Sequence, residues 1–136
     1  MSRTVPCLSA AAIGFVCLVG NATAAEMTGA ELKEFLTGKS VYTELTTSVT
    51  GTQGLGVIYY DPNGTVLYKT PKGVIWHGTW TIKDNTACVD WKESPNNPCT
   101  KYDKQGDAIM SINVATGVAR GKVVKTAPGN AENLAP

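Results

Sequence analysis

The chain is poor in the residues that bind transition metals and carry nucleophilic catalysis. Its 136 residues include one histidine, His77, and four cysteines. A zinc site takes three or four His, Cys or carboxylate ligands, and no spaced cluster of Asp and Glu replaces the missing imidazoles. We therefore expect no metal and no other cofactor.

No catalytic arrangement is visible around the single histidine. A serine hydrolase built on His77 would place its nucleophile in a G-x-S-x-G elbow, which the sequence lacks. A cysteine nucleophile has to stay reduced, whereas we expect the cysteines of the mature chain to be oxidised. We predict no catalytic residues and interpret the protein as non-enzymatic.

An excess of charge of one sign is also missing. Charged residues make up 17% of the chain, the formal net charge is +1, and Lys and Arg form no run. Proteins that bind nucleic acid carry a basic patch or stripe that neutralises phosphates. Nucleic acid is therefore not an expected partner.

The sequence has no apolar run long enough to span a bilayer comfortably. The longest, LSAAAIGFVCLVG at residues 8–20, is shorter than the roughly 20 residues of a spanning helix. It follows Arg3 and precedes the small-x-small pattern at residues 22–24, as in a cleaved signal peptide. We expect residues 1–25 to be removed and the mature protein to be periplasmic or secreted, with no stable membrane anchor.

Cysteine usage agrees with export. Cys7 and Cys17 lie in the predicted leader, so Cys88 and Cys99 remain. Two thiols in an exported chain predict one disulfide. The bridge would close the loop that contains KESPNNP at residues 92–98, and we interpret it as a structural staple because redox-active pairs usually have C-x-x-C spacing.

One stretch, TGAELKEFLTG, has a helical period. Thr28 is a plausible N-cap with Glu31 three residues later, which is the capping-box pattern. Gly38 stands where a helix would end. The apolar residues at i, i+3 and i+4 are Leu32, Phe35 and Leu36. The pattern predicts a short amphipathic helix that packs on another part of the protein.

From Val41 onward the apolar period changes to two. Short segments rich in Val, Ile, Thr, Tyr and Trp alternate with Gly, Pro, Asn and Asp, as in strands joined by hairpin turns. We predict a mainly β protein: an antiparallel meander of seven or eight strands that forms a small barrel or a strongly curved sheet. The domain would span residues 26–126, and residues 127–136, which lack an apolar pattern, would form a flexible tail.

The β period predicts which side chains face inward. In residues 74–83 it places Trp76 and Trp80 on one apolar face and His77 on the opposite, solvent-facing side. The residues that we expect to line a ligand site or to fill the core are Trp76, Trp80, Tyr59, Tyr68 and Arg120.

Two resemblances follow from these residues. The stretch from GTW to KQGDAI is similar to the core of a family of small exported alphaproteobacterial proteins described as a domain of unknown function. The matching positions are Gly78, Trp80, Cys88, Trp91, Cys99, Tyr102, Gly106 and Asp107. More loosely, the G-x-W tryptophan Trp80 together with Arg120 resembles lipocalin-like barrels, which implies that the guanidinium stacks on the indole. The lipocalin G-x-W lies on the first strand, whereas this one lies in the middle of the meander.

Two functions are compatible with this architecture. The first is a periplasmic, non-enzymatic binding module for a small apolar or aromatic ligand. The second is a protein–protein module, such as an inhibitor or accessory factor of an envelope enzyme, that uses the loop at residues 92–98. An open cavity lined with tryptophan would favour the first, and a filled core with a projecting loop would favour the second.

Overall fold

The computed structural model describes residues 24–46 and 52–136. Most of the predicted signal peptide therefore lies outside the described residues. In the described part, the chain forms one helix and nine β-strands, and no helix there is long and apolar enough to cross a membrane. The elements are β1 (Ala25–Glu26), α1 (Gly29–Leu36), β2 (Lys39–Leu45), β3 (Gly54–Tyr60), β4 (Thr65–Lys69), β5 (Ile75–Lys83), β6 (Thr86–Trp91), β7 (Cys99–Gln105), β8 (Ala108–Asn113) and β9 (Ala119–Pro128).

Strands β2 to β9 form a closed antiparallel barrel. Each strand pairs with the next one along the chain, and β9 returns to pair with β2. Closure gives every barrel strand two partners, so no long edge is left to recruit another chain. The predicted mainly β fold, its eight-stranded meander and its barrel form are confirmed.

The disulfide lies at the narrowest seam of the barrel. In the described residues, β6 and β7 share only two register pairs, one of which is Cys88 with Cys99. These two residues form the disulfide, with their Cα atoms 4.0 Å apart. Strand β1 pairs farther along β7, at Asp103 and Lys104. The predicted disulfide is confirmed, and it joins two strands where few ladder hydrogen bonds do so.

Helix α1 closes one end of the barrel. The predicted capping box is present: Glu31 N donates to Thr28 Oγ1 over 3.3 Å, and Thr28 N donates to Glu31 Oε2 over 2.8 Å. Leu32 and Leu36 are fully buried, and the chain leaves the helix through Gly38 at φ +71°. The helix therefore packs its apolar face on the barrel core.

The C-terminal segment, residues 129–136, packs against the outer wall of the barrel. Ser40 Oγ donates to the carbonyl of Gly129 over 2.7 Å, and Tyr42 OH donates to Glu132 Oε1 over 2.9 Å. Leu134 is only 6% exposed. The expectation of a flexible tail at 127–136 is corrected in two ways, because β9 continues to Pro128 and the following residues cover the wall.

Apolar side chains on the outer wall explain why the C-terminal segment packs against it. Val57 and Leu67 point outward, since their neighbours in β3 and β4 belong to the barrel interior, yet both are buried. Apolar side chains outside a barrel need a cover to leave water. The C-terminal segment, with Leu134, provides such a cover on this side of the molecule.

Candidate functional site

A cavity of about 330 Å³ occupies the end of the barrel opposite to α1. At the α1 end, Gly29 N donates to Asn85 Oδ1 of the β5–β6 turn over 2.8 Å. The loops at the other end, between β4 and β5 and between β6 and β7, contribute residues such as Thr70 and Asn96 to the cavity. The cavity volume lies at the lower end of the range for small-ligand sites, roughly 300–1,000 Å³.

Three aromatic rings form one wall of the cavity, and we call them the aromatic box (Tyr68, Trp76 and Trp91). The ring centroids of Tyr68 and Trp76 are 6.0 Å apart, those of Tyr68 and Trp91 are 5.8 Å apart, and those of Trp76 and Trp91 are 6.0 Å apart. These spacings are typical of favourable aromatic pairs. The wall is therefore a packed aromatic surface that faces an open volume.

Strand register builds the aromatic box. Tyr68 and Trp76 are direct partners across β4 and β5, and Trp91 is the partner of Gly78 across β5 and β6. A Cβ at Gly78 would lie 3.1 Å from Trp91 Cε3 and would overlap the carbonyl of Asp90. Glycine at position 78 thus leaves the space that the Trp91 ring occupies.

Two buried tyrosines lie on the cavity side of the barrel core. Tyr60 OH and Tyr102 OH are hydrogen-bonded over 3.1 Å, and both residues are almost fully buried. Burial raises the pKa of Tyr60 well above its ordinary value and also raises the pKa of Tyr102. Both phenols therefore remain neutral at physiological pH and offer hydroxyl groups to the cavity.

Arg120 is the one charged side chain among the described residues that line the cavity. Its Nε atom is buried and has no hydrogen-bond partner among the described residues. Burial lowers the pKa of Arg120, while the nearby tyrosines Tyr102, Tyr60 and Tyr68 act in the opposite direction. Because an arginine stays charged in proteins, a cation lies inside the barrel among neutral aromatic hydroxyls.

A β-bulge directs Arg120 into the barrel. Ser111 pairs with Gly121 and Ile112 pairs with Ala119, so Arg120 is the extra residue of β9 between these two pairs. Gly121 also lies so close to the backbone of β2 that a Cβ there would overlap the carbonyl of Glu44. Bulges commonly redirect one side chain next to a binding site.

Of the five residues predicted to line a ligand site or to fill the core, three lie at the cavity and a fourth, Trp80, lies in the core. Trp76, Tyr68 and Arg120 line the same cavity. Trp80 lies among the core residues instead: its ring meets Tyr60 edge-on at 5.1 Å, and its Nε1 donates to the carbonyl of Asp61 over 2.9 Å. Its indole therefore serves the core rather than the cavity.

Tyr59 lies on the outer wall. Its neighbours Ile58 and Tyr60 line the cavity, and alternation along a strand places Tyr59 on the opposite face. The inward tyrosine of this pair is Tyr60, which the prediction did not name. The period of β3, with Gly56, Ile58 and Tyr60 on one face, was the available signal.

The resemblance to lipocalin-like barrels implied that Arg120 stacks on Trp80, but no such contact is found among the described residues. In the described part of the chain, the cation–π contact is that of Lys125 over the Tyr42 ring at 4.3 Å. Trp91 is another site residue that the prediction missed, and the alternation of Ala87, Val89 and Trp91 in β6 indicates its inward direction.

The loop at residues 92–98 forms part of the cavity rim. Ser94, Asn96 and Pro98 line the cavity, and the disulfide anchors the loop where it joins β7. The loop is also held at its start, because Lys92 N donates to the carbonyl of His77 over 2.8 Å. The loop therefore helps to enclose the cavity instead of projecting freely.

His77 lies on the outer face of β5, the side predicted by the β period. Its Nδ1 is 2.7 Å from Glu93 Oε1, and its Nε2 is 3.3 Å from the carbonyl of Ala135. The hydrogen bond with His77 is the main cause of the lowered pKa of Glu93. His77 thus connects the rim loop to the C-terminal segment and does not line the cavity.

The cavity offers hydroxyl, amide and guanidinium groups around an aromatic wall. The described residues that line it include no Asp, Glu, His, Lys or Cys. Elsewhere in residues 24–46 and 52–136, no group of three or more His, Cys, Asp or Glu side chains could hold a metal ion. The arrangement suits the binding of a small molecule through apolar contact and a few polar groups.

Comparisons of the chain with protein-family models, with curated proteins and with solved structures find no match.

Proposed function

We propose that the protein is an exported, non-enzymatic β-barrel that binds one small, largely apolar ligand in its cavity. The observation that carries this proposal is the volume of about 330 Å³ bounded by the aromatic box. In a packed core, other side chains would fill this volume, because protein interiors leave few voids larger than a water molecule. An aromatic wall around free volume is typical of ligand sites.

Export is part of the same proposal. The Cys88–Cys99 bridge is favoured in an oxidising compartment such as the periplasm, and the leader pattern at residues 1–25 supports the same location. A binding protein in that compartment would meet small molecules that enter or leave the cell envelope.

The alternative function, a protein–protein module that uses residues 92–98, has weaker support. Ser94, Asn96 and Pro98 are part of the cavity lining, so a partner that engages the loop would also cover the cavity mouth. The shape of the loop is therefore better explained by ligand enclosure than by presentation to another protein.

The binding proposal can be tested with N-phenyl-1-naphthylamine, a neutral probe whose fluorescence rises in an apolar site. We expect the mature protein to bind the probe with saturation. Trp76→Ala should weaken binding about tenfold, since an aromatic pair contributes roughly 0.5–1.5 kcal/mol beyond area burial. Tyr59→Ala, which removes an aromatic ring from the outer wall, is the matched control and should bind like the wild type.

Two results would contradict the proposal. One is the absence of a saturable fluorescence rise with the folded wild-type protein. The other is an equal loss of binding in Trp76→Ala and Tyr59→Ala, which would show that the probe reports a general property of the surface rather than the cavity.

A further inference from the structure

Arg120, which is partly buried, has no carboxylate partner among the described residues. Among the described residues, the ion pairs involve Lys69, His77, Lys101 and Lys104 as the basic partners. Arg120 forms none of these pairs, and its buried Nε donates no hydrogen bond to the described residues. A partly buried charge without a counter-charge is unfavourable, so a bound anion would stabilise the guanidinium of Arg120.

The surroundings of Arg120 are neutral and provide hydrogen-bonding groups. Tyr60 and Tyr102 share one hydrogen bond between their hydroxyl groups, and Ser111 lines the same part of the cavity. Neutral hydroxyls can donate to an anion but do not cancel the positive charge of the guanidinium. The only positive charge of the described lining thus lies near the tyrosine hydroxyls, in a polar but uncharged part of the cavity.

The backbone conformation of β9 also turns Arg120 toward the cavity. The bulge in β9 leaves Arg120 without a register partner between the pairs of Gly121 and Ala119. Regular alternation from Val123, which packs against the core, would turn residue 120 toward solvent. The strand departs from its period at the residue that carries the charge.

We propose that the cavity selects a small apolar monocarboxylate, whose carboxylate is bound by Arg120 and whose apolar body lies against the aromatic box. This inference rests on the proposed ligand-binding function. The guanidinium presents two parallel N–H groups that match both oxygens of a carboxylate. Aromatic rings at 5.8–6.0 Å from one another supply the apolar surface for the rest of the ligand.

The test uses a matched pair of competitors, 2-naphthoate and 2-naphthamide, which share one ring system and differ in charge. Each competitor displaces N-phenyl-1-naphthylamine from the mature protein at pH 7. We expect 2-naphthoate to displace the probe at a concentration at least about tenfold lower than 2-naphthamide, the ratio that a charge-assisted bidentate contact would give.

Arg120→Gln should reduce this ratio to about one, with both competitors measured against that variant's own affinity for the probe, because a neutral amide lacks the charge that distinguishes the carboxylate from the amide. Lys122→Gln is the control: it removes the same charge from the same strand at an exposed position and should keep the wild-type ratio. Arg120→Lys keeps the charge without the planar fork and should retain a preference smaller than that of the wild type.

The outcomes separate this inference from the function on which it rests. If both competitors displace the probe equally from the wild type, the carboxylate inference is overturned and the binding function stands. The same holds if Arg120→Gln keeps the wild-type ratio. If the probe itself does not bind to the folded protein, the proposed function fails, and the carboxylate site fails with it.

Discussion

Adjacent aromatic residues in this barrel have different roles because successive side chains of a strand face opposite sides. Tyr60 lines the cavity and bonds to Tyr102, whereas Tyr59 belongs to the outer wall. Trp76 and Trp80 share a face but not a role, because Trp80 lies nearer to α1 and packs on Tyr60. Each residue must therefore be interpreted by its face and by its depth in the barrel.

The roles of Trp80 and His77 can be separated by their effects on stability. Trp80→Ala should lower the free energy of unfolding by roughly 3 kcal/mol, at the lower end for a core aromatic because the residue is only partly buried. His77→Ala removes the surface contact between His77 Nδ1 and Glu93 Oε1 and should cost at most about 1 kcal/mol. Denaturant titrations measure both. A larger loss for His77→Ala would mean that its contacts with Glu93 and Ala135 carry much of the outer-wall packing.

Glu31 should make stability depend on pH in the acid range. Its hydrogen bond from Lys104, together with those from Thr28, lowers the pKa of Glu31 from the ordinary 4.5 to about 2. Because the folded state holds this carboxylate charged, its contribution is present above pH 4.5 and is lost as the pH falls toward 2. The stability difference between the wild type and Glu31→Gln should therefore shrink between pH 4.5 and 2. A difference that stays constant over this range would contradict the role of the helix cap and Lys104.

At the level of elements, two features support the barrel. The disulfide lies where strand pairing is short, and the C-terminal segment covers an apolar part of the outer wall. The disulfide joins β6 to β7 across a seam of two register pairs. The C-terminal segment covers outward residues of β2 to β4 and reaches His77 on β5. The disulfide anchors the end of the loop at residues 92–98, and His77 links this loop to the C-terminal segment.

Loss of the disulfide should affect both stability and ligand binding. The bridge closes a loop with a sequence separation of 11, for which chain entropy predicts about 3 kcal/mol. Cys88→Ser combined with Cys99→Ser should lower stability by about this amount and weaken probe binding, because Ser94, Asn96 and Pro98 line the cavity. Chemical denaturation and probe titration measure the two effects. Labelling of Cys88 or Cys99 by maleimide in the unreduced wild type would contradict the bridge.

The packing of the C-terminal segment predicts a cost for truncating Leu134. This residue is buried on the outer wall, so Leu134→Ala should lower the free energy of unfolding by about 2 kcal/mol or more. Leu55, which is 49% exposed, is the matched control, and Leu55→Ala should change stability by less than about 0.5 kcal/mol. Equal and small effects in urea titrations would mean that the segment does not contribute to the fold.

At the scale of the whole molecule, the barrel has two unlike ends. Helix α1, with the buried Leu32 and Leu36, fills one end, whereas the rim loops leave a cavity at the other. The closed hydrogen-bond pattern supports such a cavity because the wall is held by strand pairing rather than by side chains that fill the interior. One end can therefore be specialised for binding while the other stabilises the fold.

Export should leave a mature chain that keeps this barrel intact. We expect cleavage after Ala24 or Ala25, next to β1 (Ala25–Glu26), which pairs with β7. Intact-mass analysis of the protein from a periplasmic fraction should give a chain that begins at residue 25 or 26, with a mass two hydrogens below that of the reduced form. A mass that retains Met1 would contradict the leader and the proposed location.

Local patterns in the sequence were sufficient for several features. Thr28 and Glu31 are three residues apart, so the capping box and the start of α1 follow from neighbouring residues alone. The period of two and the turn residues predicted the strands and their meander, since each hairpin joins consecutive segments. The bridge between Cys88 and Cys99 followed from the two cysteines that lie outside the predicted leader.

Other features depend on contacts between distant parts of the chain. The segment at 129–136 has no apolar period, and its packing depends on Ser40 and Tyr42, which lie about 90 residues earlier. The inward direction of Arg120 depends on a bulge, which inserts one residue and reverses the alternation that sequence periodicity assumes. The sequence by itself determined the strands, the helix and the bridge, because these arise from local geometry and residue type. Only the tertiary structure decided that Arg120 meets an aromatic cavity, because that depends on how β9 closes the barrel against β2 and β8.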